Sequence, residues 1–370
     1  MSGKKKLLLA TNHSYMFYRF RKELAARLQE EYEVILSSPY NGHQDDFEAM
    51  GVPVREIELS RRSINPISDL KLIQEYRKLL DEIRPDLVIT YSIKPNVYLS
   101  RVCAARHIPY FSHIQGLGTA FQKPVLSSVA AFLYKQGLKN SSGVFFENQS
   151  SLDFFVSSGL ADPLRTVLLM GAGVNTEEYP YTEPEEKETF HILYLGRIMK
   201  EKGMDELLDA LEELHNEGYP FQFDFAGFCE EEYQERLDQT CSQGWGKNHG
   251  FVQNPIPLYQ MADVIVLPSW HEGMSNVLLE AACIGRPLIA TRIPGCQESI
   301  EDGITGYLCK KQNKDSLKEA MKKMLQLSFE ERREMGRLGH EKMVREFSRE
   351  QVVEKTVSEI RRRLNEQNPG

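Results

Sequence analysis

"DVIVLPSWHEGMSNVLLEAACIGRPLIAT", residues 263–291, decides the fold. Its opening is a short apolar run that ends at Ser269, and the turn from Trp270 to Gly273 is polar. Ser275 or Asn276 then stands where a cap belongs, before an apolar helix that stops at Gly285 ahead of Pro287. "PLIAT" reads as the next strand. A strand, a tight turn, a helix and a second strand in this order make a parallel βαβ unit. The helix start carries unpaired N–H groups and the positive end of the dipole, so it favours a phosphate. Two carboxylates, Glu272 and Glu280, stand on either side of that start.

The same rhythm extends in both directions. From His191 onward the chain reads "HILYLG", a helix over 204–217, "FQFDFAG", "HGF", then the stretch above, "GYLC" and a helix from about 314. Before it, "KLLLAT", "EVILSS", "VPVREIEL", "DLVITY", "PYFSHI", "GVFFEN" and "TVLLM" alternate with amphipathic stretches such as "SDLKLIQEYRKLLDEIRP". Alternation of this kind predicts parallel sheets covered by helices on both faces. Between the two series, residues 171–190 are rich in Gly, Pro and acid and have no period. The expected division is a first domain over 1–175, a linker over 176–190, a second domain over 191–346 and a terminal helix over 347–370. That helix bears an apolar stripe at Val352, Val353, Val357 and Ile360, which predicts that it crosses back onto the first domain. The fold class is α/β, with two doubly wound, Rossmann-like domains facing across a cleft. Ligands of such sheets bind at the carboxyl ends of the strands, so the loops that follow strands carry the function.

Composition limits the alternatives. A chain of 370 residues exceeds one ordinary core, and 41% hydrophobic with 26% charged residues is the balance of a globular protein. No stretch approaches the ~20 apolar residues of a membrane span. The basic start "MSGKKKLLLATNHSYMFYRFRK" mimics an export signal, but its apolar run, Leu7 to Ala10, is shorter than the ~7–15 residues required, and a first strand is expected there. The cysteines (Cys103, Cys229, Cys241, Cys283, Cys296 and Cys309) form no C-x-x-C pair and have no histidines at zinc spacing. Net charge is -8, divided into +4 over residues 1–175 and -12 over the rest. A mildly basic first half on an acidic chain suits a face that meets anions, although uneven surface decoration explains it equally. Nucleic acid is not an expected partner, because the acidic chain lacks an aromatic-basic platform.

A second loop adds cations. In "YLGRIMKEKGMDELLDALEELHNEG", residues 194–218, the strand ends at Gly196, Arg197 follows at once, and Lys202 precedes Gly203 and the next helix. A guanidinium that forks onto two oxygens, an ammonium and a helix start together form an anion site. Either acid of the other loop, taken alone, reads as a surface acid. With the Arg-Lys loop in the same domain they read as a nucleotide-sugar clamp. Glu272 then accepts hydrogen bonds from a hexose beyond the diphosphate, and Glu280, a turn into the helix, takes both hydroxyls of a ribose.

"GRIMKEKG", "PSWHEGMSNVLLEAACIGRPLIAT" and "GCQESIEDGITGYL" together closely resemble the donor-binding domain of retaining family 4 glycosyltransferases of the GT-B fold. In the first domain, "ITYSIKPNVYLSRVCAARHIPYFSHIQGLGTAF" resembles the branch that builds capsule, O-antigen and other glycan chains on polyprenyl diphosphate carriers. The resemblance implies that Gly196, Arg197 and Lys202 meet the donor diphosphate, Glu272 the hexose and Glu280 the ribose. Gly273, Met274, Ser275 and Asn276 offer backbone N–H groups, and "HGFV", residues 249–252 with Val252, flanks the base through main-chain atoms. UDP is the nucleotide expected. The chain departs from the family twice. "TNHSYMFYRF" stands where many relatives carry a glycine pair, so that phosphate contact is either absent or made by Ser14. Gln115 occupies the place of an active-site histidine. His113, two residues earlier on the same strand face, is either a pocket residue or a core histidine.

With no D-x-D triplet and no metal-ligand cluster in the sequence, no cofactor is expected, and Arg197, Lys202 and the helix start must neutralise the departing diphosphate. Front-face attack, with the acceptor's proton taken by the leaving phosphate oxygen, explains why no protein base is evident. A double displacement needs a carboxylate nucleophile, for which Glu272 is the candidate. Candidates for the acceptor's phosphates are Lys94, Arg19, Arg21 and Lys123, with Gln115 beside the acceptor. "VLSSVAAFLYKQGLKN", residues 125–140, mixes Val125, Val129, Phe132 and Leu133 with Lys135 and Lys139. It suits either peripheral contact with the inner face of the cell membrane or ordinary packing on the sheet. The expected partners are thus a UDP-sugar, a lipid-linked sugar and that membrane surface, in the cytoplasm. A nucleotide-sugar epimerase shares the fold but needs acid-base groups not evident here. A two-lobed sugar-binding protein would not need the Arg-Lys-Glu-Glu set.

Overall fold

The computed structural model describes residues 3–59, 66–117, 121 and 124–367. The chain divides into two compact units, Met1–Ala172 with Glu350–Gly370, and Gly173–Arg349. The first holds seven parallel strands, β1 (Lys5–Ala10), β2 (Tyr32–Ser38), β3 (Val54–Glu56), β4 (Leu87–Tyr91), β5 (Tyr110–Ile114), β6 (Gly143–Phe146) and β7 (Thr166–Leu168), in the order β3-β2-β1-β4-β5-β6-β7. Both faces are covered, which is why the strands are nearly unbroken apolar runs. In β1 the period of two sends Leu7 and Leu9 into one core and Leu8 and Ala10 into the other.

Helices α1 (Ser14–Gln29) and α2 (Gln44–Ala49) cover one face through Phe17, Leu24, Leu28 and Phe47. Helix α3 (Pro66–Ile83), a π-helical turn over Pro95–Leu99 continued by α4 (Ser100–Ala105), then α5 (Pro124–Leu138) and α6 (Gln149–Ser157), cover the other.

The second unit has six parallel strands, β8 (His191–Leu195), β9 (Gln222–Ala226), β10 (Gly246–Asn248), β11 (Val264–Leu267), β12 (Leu288–Thr291) and β13 (Gly306–Cys309), in the order β10-β9-β8-β11-β12-β13. Its helices are α7 (Met204–Asn216), α8 (Glu231–Ser242), α9 (Ile256–Met261), α10 (Asn276–Ile284), α11 (Lys314–Gln326) and α12 (Phe329–Glu346). Expected and observed elements differ at "HGF": the strand is Gly246–Asn248, and Gly250 adopts φ +64° two residues beyond it.

The last helix, α13 (Arg349–Gln367), belongs to the first unit. Val352, Val353, Val357 and Ile360 enter the core on the α1 face. Around them Arg27 bonds Glu354 at 2.6 Å and Arg361 bonds Glu31 at 2.6 Å. Burial of the stripe, rather than these exposed pairs, holds the helix.

One buried charge stands out in the second unit. Asp224, on the inner strand β9, is wholly enclosed and accepts hydrogen bonds at 2.7 Å from both His191 and His249. Burial works against its ionisation, but the two imidazoles outweigh it and hold the carboxyl below the usual aspartate range.

Two outcomes follow. Ile360→Ala should destabilise the first unit by about 2–5 kcal/mol, read from its urea transition, whereas Arg361→Ala should barely move it. A carboxyl with a depressed folded-state pKa stabilises above the ordinary aspartate range and ceases to do so as pH falls through its folded value. The second unit should therefore lose stability on acidification more steeply in the native chain than in Asp224→Asn, as hydrogen exchange at β9 would report.

Candidate functional site

In the second unit the strand order reverses between β8 and β11, and the loops after these two strands meet. Gly203, at φ +75°, lies so close to the β11 loop that a Cβ there would come within 2.1 Å of the Pro268 carbonyl oxygen. The Trp270 N–H donates to the Glu201 carbonyl at 2.9 Å and clasps the loops from the other side. This contact brings Lys202, in the turn before α7, to Glu272, with Nζ 2.5 Å from Oε1 and both side chains partly exposed. Arg197, on the same loop as Lys202, is exposed, and its carbonyl oxygen accepts from the Tyr194 hydroxyl at 2.6 Å.

Helix α10 begins where the sequence put it. Ser275 is the N-cap, its hydroxyl accepting from the Leu278 N–H, and Gly285 ends the helix at φ +93°. A third loop supports the start: a Cβ on Gly295 would meet the Gly273 carbonyl oxygen at 2.4 Å, and the Ser275 N–H donates to the Gly295 carbonyl at 2.8 Å. Ser275 thus spends its own N–H on the scaffold. The first N–H groups of the helix proper, from Asn276, lack acceptors within α10 by the geometry of any helix start. Met274 is buried, whereas Gly273 and Asn276 are partly exposed. Glu280, only 5% exposed, accepts from the Tyr259 hydroxyl at 2.8 Å. Tyr259 lies on α9, which follows the partly exposed Val252 and the loop after β10. Sequence reasoning missed Tyr259 and Gly295. The glycine of "IPGCQES" was the only available signal, since glycine is required where backbones approach this closely.

In the first unit several expected positions prove to be engaged. Arg21 is 4% exposed, lies 5.7 Å over the Tyr91 ring and forms a buried ion pair with Glu147. That corrects the expectation of an open guanidinium: the sequence separation of 126 hid its partner. Burial pushes the Glu147 carboxyl upward, against Arg21 and a hydrogen bond from Gln115 that favour its charged form. Gln115 itself is exposed at the end of β5. His113 is enclosed between Tyr91 and Phe145, at ring distances of 4.5 and 4.8 Å, and neither ring nitrogen has a hydrogen-bond partner. Burial and then the nearby Arg21 lower its pKa well below the ordinary histidine range, so it is a neutral core ring. Lys94 pairs with Asp69 at 2.8 Å, and the Tyr98 hydroxyl holds the other carboxylate oxygen at 2.7 Å. Ser14 is buried and its hydroxyl accepts from the Asn41 N–H at 3.0 Å, which ties the loop after β2 to α1. Arg19 is partly exposed beside Phe20, and Lys123 lies outside the described residues. Among the described residues, no three His, Cys, Asp or Glu side chains are grouped to hold a metal ion, and no helix is long and apolar enough to cross a membrane.

Known proteins share both halves of this arrangement. The family model described as "Glycosyl transferases group 1" matches residues 189–327, and "Glycosyl transferase 4-like" matches residues 6–148. The N,N'-diacetylbacillosaminyl-diphospho-undecaprenol alpha-1,3-N-acetylgalactosaminyltransferase of Campylobacter jejuni is 25% identical over 328 residues, covering 84% of this chain and 86% of that protein. The capsular polysaccharide biosynthesis glycosyltransferase CapM of Staphylococcus aureus is 25% identical, covering 80% and 82%. A glycosyltransferase from Rickettsia africae superposes with a TM-score of 0.80 at 18% identity over 98% of this chain and 99% of that one. Anabaena HepE, in complex with UDP and glucose, does so with a TM-score of 0.77 at 16% identity over 96% and 99%. The solved structures speak for the fold, and the matched sequences speak for the activity. The chain is a glycosyltransferase of the GT-B fold and belongs to family 4.

Proposed function

We propose that this glycosyltransferase moves a hexose or N-acetylhexosamine from a UDP-sugar, with retention and without a metal, to a sugar hydroxyl of a polyprenyl-diphosphate-linked acceptor. The observation that carries the reading is the meeting of Lys202 and Glu272 at the start of α10, with Glu280 behind them on the same helix. One cation and one carboxylate there match the two neighbouring parts of an activated sugar, an anionic diphosphate and a hydroxyl-rich ring. Arg197 and Lys202, with the N–H groups of α10, bind the diphosphate and stabilise the charge that gathers on it as the glycosidic bond breaks. Glu272 accepts hydrogen bonds from the hexose, Glu280 from the ribose, and the main chain around Val252 flanks the base.

In the transfer step the bond from the anomeric carbon to the phosphate oxygen breaks, and a bond to the acceptor oxygen forms on the same face. The acceptor's proton passes to the departing phosphate oxygen, so UDP leaves singly protonated and no enzyme base is consumed. The first unit receives the acceptor, with Gln115 and Arg19 in reach of it. Support for the lipid carrier comes from the name of the Campylobacter jejuni relative, which specifies a diphospho-undecaprenol substrate. Val129 and Phe132 of α5 are exposed, beside exposed Lys135 and Lys139, and we assign them to peripheral contact with a membrane surface.

A thermal-shift panel of UDP-, GDP- and ADP-sugars should give its largest shift with a UDP-sugar. Release of UDP should then rise when a polyprenyl diphosphate sugar is added, and release indifferent to every such acceptor would favour an epimerase or hydrolase. Arg197→Ala and Lys202→Ala should each lower kcat by roughly 100- to 1000-fold, the usual effect of removing a donor that meets developing charge. Glu272→Gln should raise KM for the donor yet still turn over; a trapped glycosyl adduct on Glu272 would refute the front-face route.

A further inference from the structure

Two phenylalanines on the edge of the second unit have no part in the scheme above. Phe228 is 65% and Phe251 51% exposed, and their rings stack on each other with centroids 4.7 Å apart and planes 22° apart. The other large hydrophobic side chains exposed in this unit, among the described residues, are the aliphatic Ile304 and Val344. Exposed phenylalanine is ordinary on a loose loop, but these loops are fixed. The His249 N–H donates to the Phe225 carbonyl at 2.9 Å, its ring is held by the enclosed Asp224, and the Gly227 N–H donates to the Gly250 carbonyl at 2.8 Å. Two apolar rings are therefore presented to solvent by a rigid frame, the way a binding surface is built.

Their position selects the ligand. Beyond the ends of the strands the backbone ladder continues: the Ile198 N–H donates to the Phe228 carbonyl at 2.8 Å, and the Glu230 N–H to the Ile198 carbonyl at 3.0 Å. Phe228 is thus bonded across to the neighbour of Arg197, and Phe251 stands one strand further out, about 10 Å or two interstrand spacings from the Arg197 loop. Phe251 is also eight residues before Tyr259, whose hydroxyl holds Glu280. The pair consequently lies next to the diphosphate loop on one side, and on the other its chain leads into α9, whose Tyr259 holds the ribose carboxylate. The one part of a nucleotide-sugar that is planar, apolar on its faces and joined to the ribose is the base.

We propose that Phe228 and Phe251 form a stacking platform for the nucleobase of the donor, so that base affinity comes from side-chain rings as well as from the main chain around Val252. This rests on the reading of the second unit as the donor site. The Asp224–His249 contact holds the platform in place, as a positioning device that does not itself touch the base. Since every base has a π-face, stacking strengthens binding with little choice among bases, and the selection of uracil is left to the polar groups at its edge.

Calorimetric titration with UDP, and inhibition of turnover by inorganic pyrophosphate, separate base from phosphate. Phe251→Ala should weaken UDP binding roughly 5- to 100-fold, the usual range for losing one base-stacking ring, and Phe228→Ala/Phe251→Ala at least as much. Inhibition by pyrophosphate and the melting temperature should be unchanged, because the rings are exposed. Phe251→Tyr should retain affinity and Phe251→Leu should not. The proposal is overturned if the double variant binds UDP like the native chain, if UDP and pyrophosphate weaken together, or if leucine serves as well as tyrosine. It is also overturned if the variants lose binding to anionic lipid vesicles while UDP affinity stays the same. A native chain that binds no UDP, or an Arg197→Ala variant that binds it undiminished, would instead sink the donor-site reading itself.

Discussion

The approach of two backbones, at Gly203 and Pro268, is the constraint on which the second unit's chemistry depends. No side chain fits between them: a Cβ on Gly203 would sit 2.1 Å from the Pro268 carbonyl oxygen, far inside contact distance. Because the chain runs so close there, residues 70 apart in sequence, Lys202 and Glu272, come within hydrogen-bond range at the topological switch of the sheet. Gly295 does the same from the other side, closing on Gly273. The three loops are thereby fixed by main-chain packing. The side chains that face solvent are then held by a frame they do not themselves have to maintain, which is the condition for low reorganisation in a site that must stabilise transient charge.

The two candidate sites, one in each unit, use charge differently. In the second, Lys202, Glu272 and Arg197 remain in contact with water, so their interactions are modest and exchangeable. In the first, Arg21 and Glu147 are enclosed beneath the exposed Gln115. A buried pair adds little net stability, but losing one partner leaves an uncompensated charge at a cost of about 3–5 kcal/mol. It serves better as a fixed orientation. Gln115 bonds the Glu147 carboxyl, so its amide is tied to the buried pair. An amide moves no proton, in keeping with the proposed step in which the leaving phosphate is the base.

Much of this was legible in the sequence because it is local. The apolar runs of β1, β4 and β11, the Ser275 cap, the Gly285 stop and the stripe on α13 each depend on residues within a turn or two of one another. Arg197, Lys202 and Glu272 could be placed for a related reason, since each occupies a loop that follows from the strand before it, and Glu280 lies on the helix that comes next. What could not be read was partnership across the chain. Arg21 and Lys94 look like open cations in sequence, and only the fold brings Glu147 and Asp69 to them. His113 had two readings that periodicity cannot separate, because a residue facing along a parallel strand is either in the core or at its rim. The strand expected at "HGF" lies earlier, at Gly246–Asn248, where "GKN" carries no apolar signal to mark it.

A comparison of the two switch points carries the division of labour one step further. In the first unit the order reverses between β1 and β4, and the loops there are joined by a neutral bond, the Ser92 hydroxyl to the Asn12 side-chain oxygen at 2.8 Å. In the second the equivalent loops are joined by the Lys202–Glu272 ion pair. Identical topology has thus been given a neutral hydroxyl-amide contact in one sheet and a charged contact in the other. A diphosphate gains little from the first contact, which carries no charge, and more from the second, where Lys202 meets Glu272 at the start of α10 and Arg197 stands on the same loop as the lysine. Hydroxyls and amides suit a sugar, whose recognition depends on direction more than on charge. The asymmetry accords with the proposal that the second unit takes the donor phosphates and the first the acceptor's sugar.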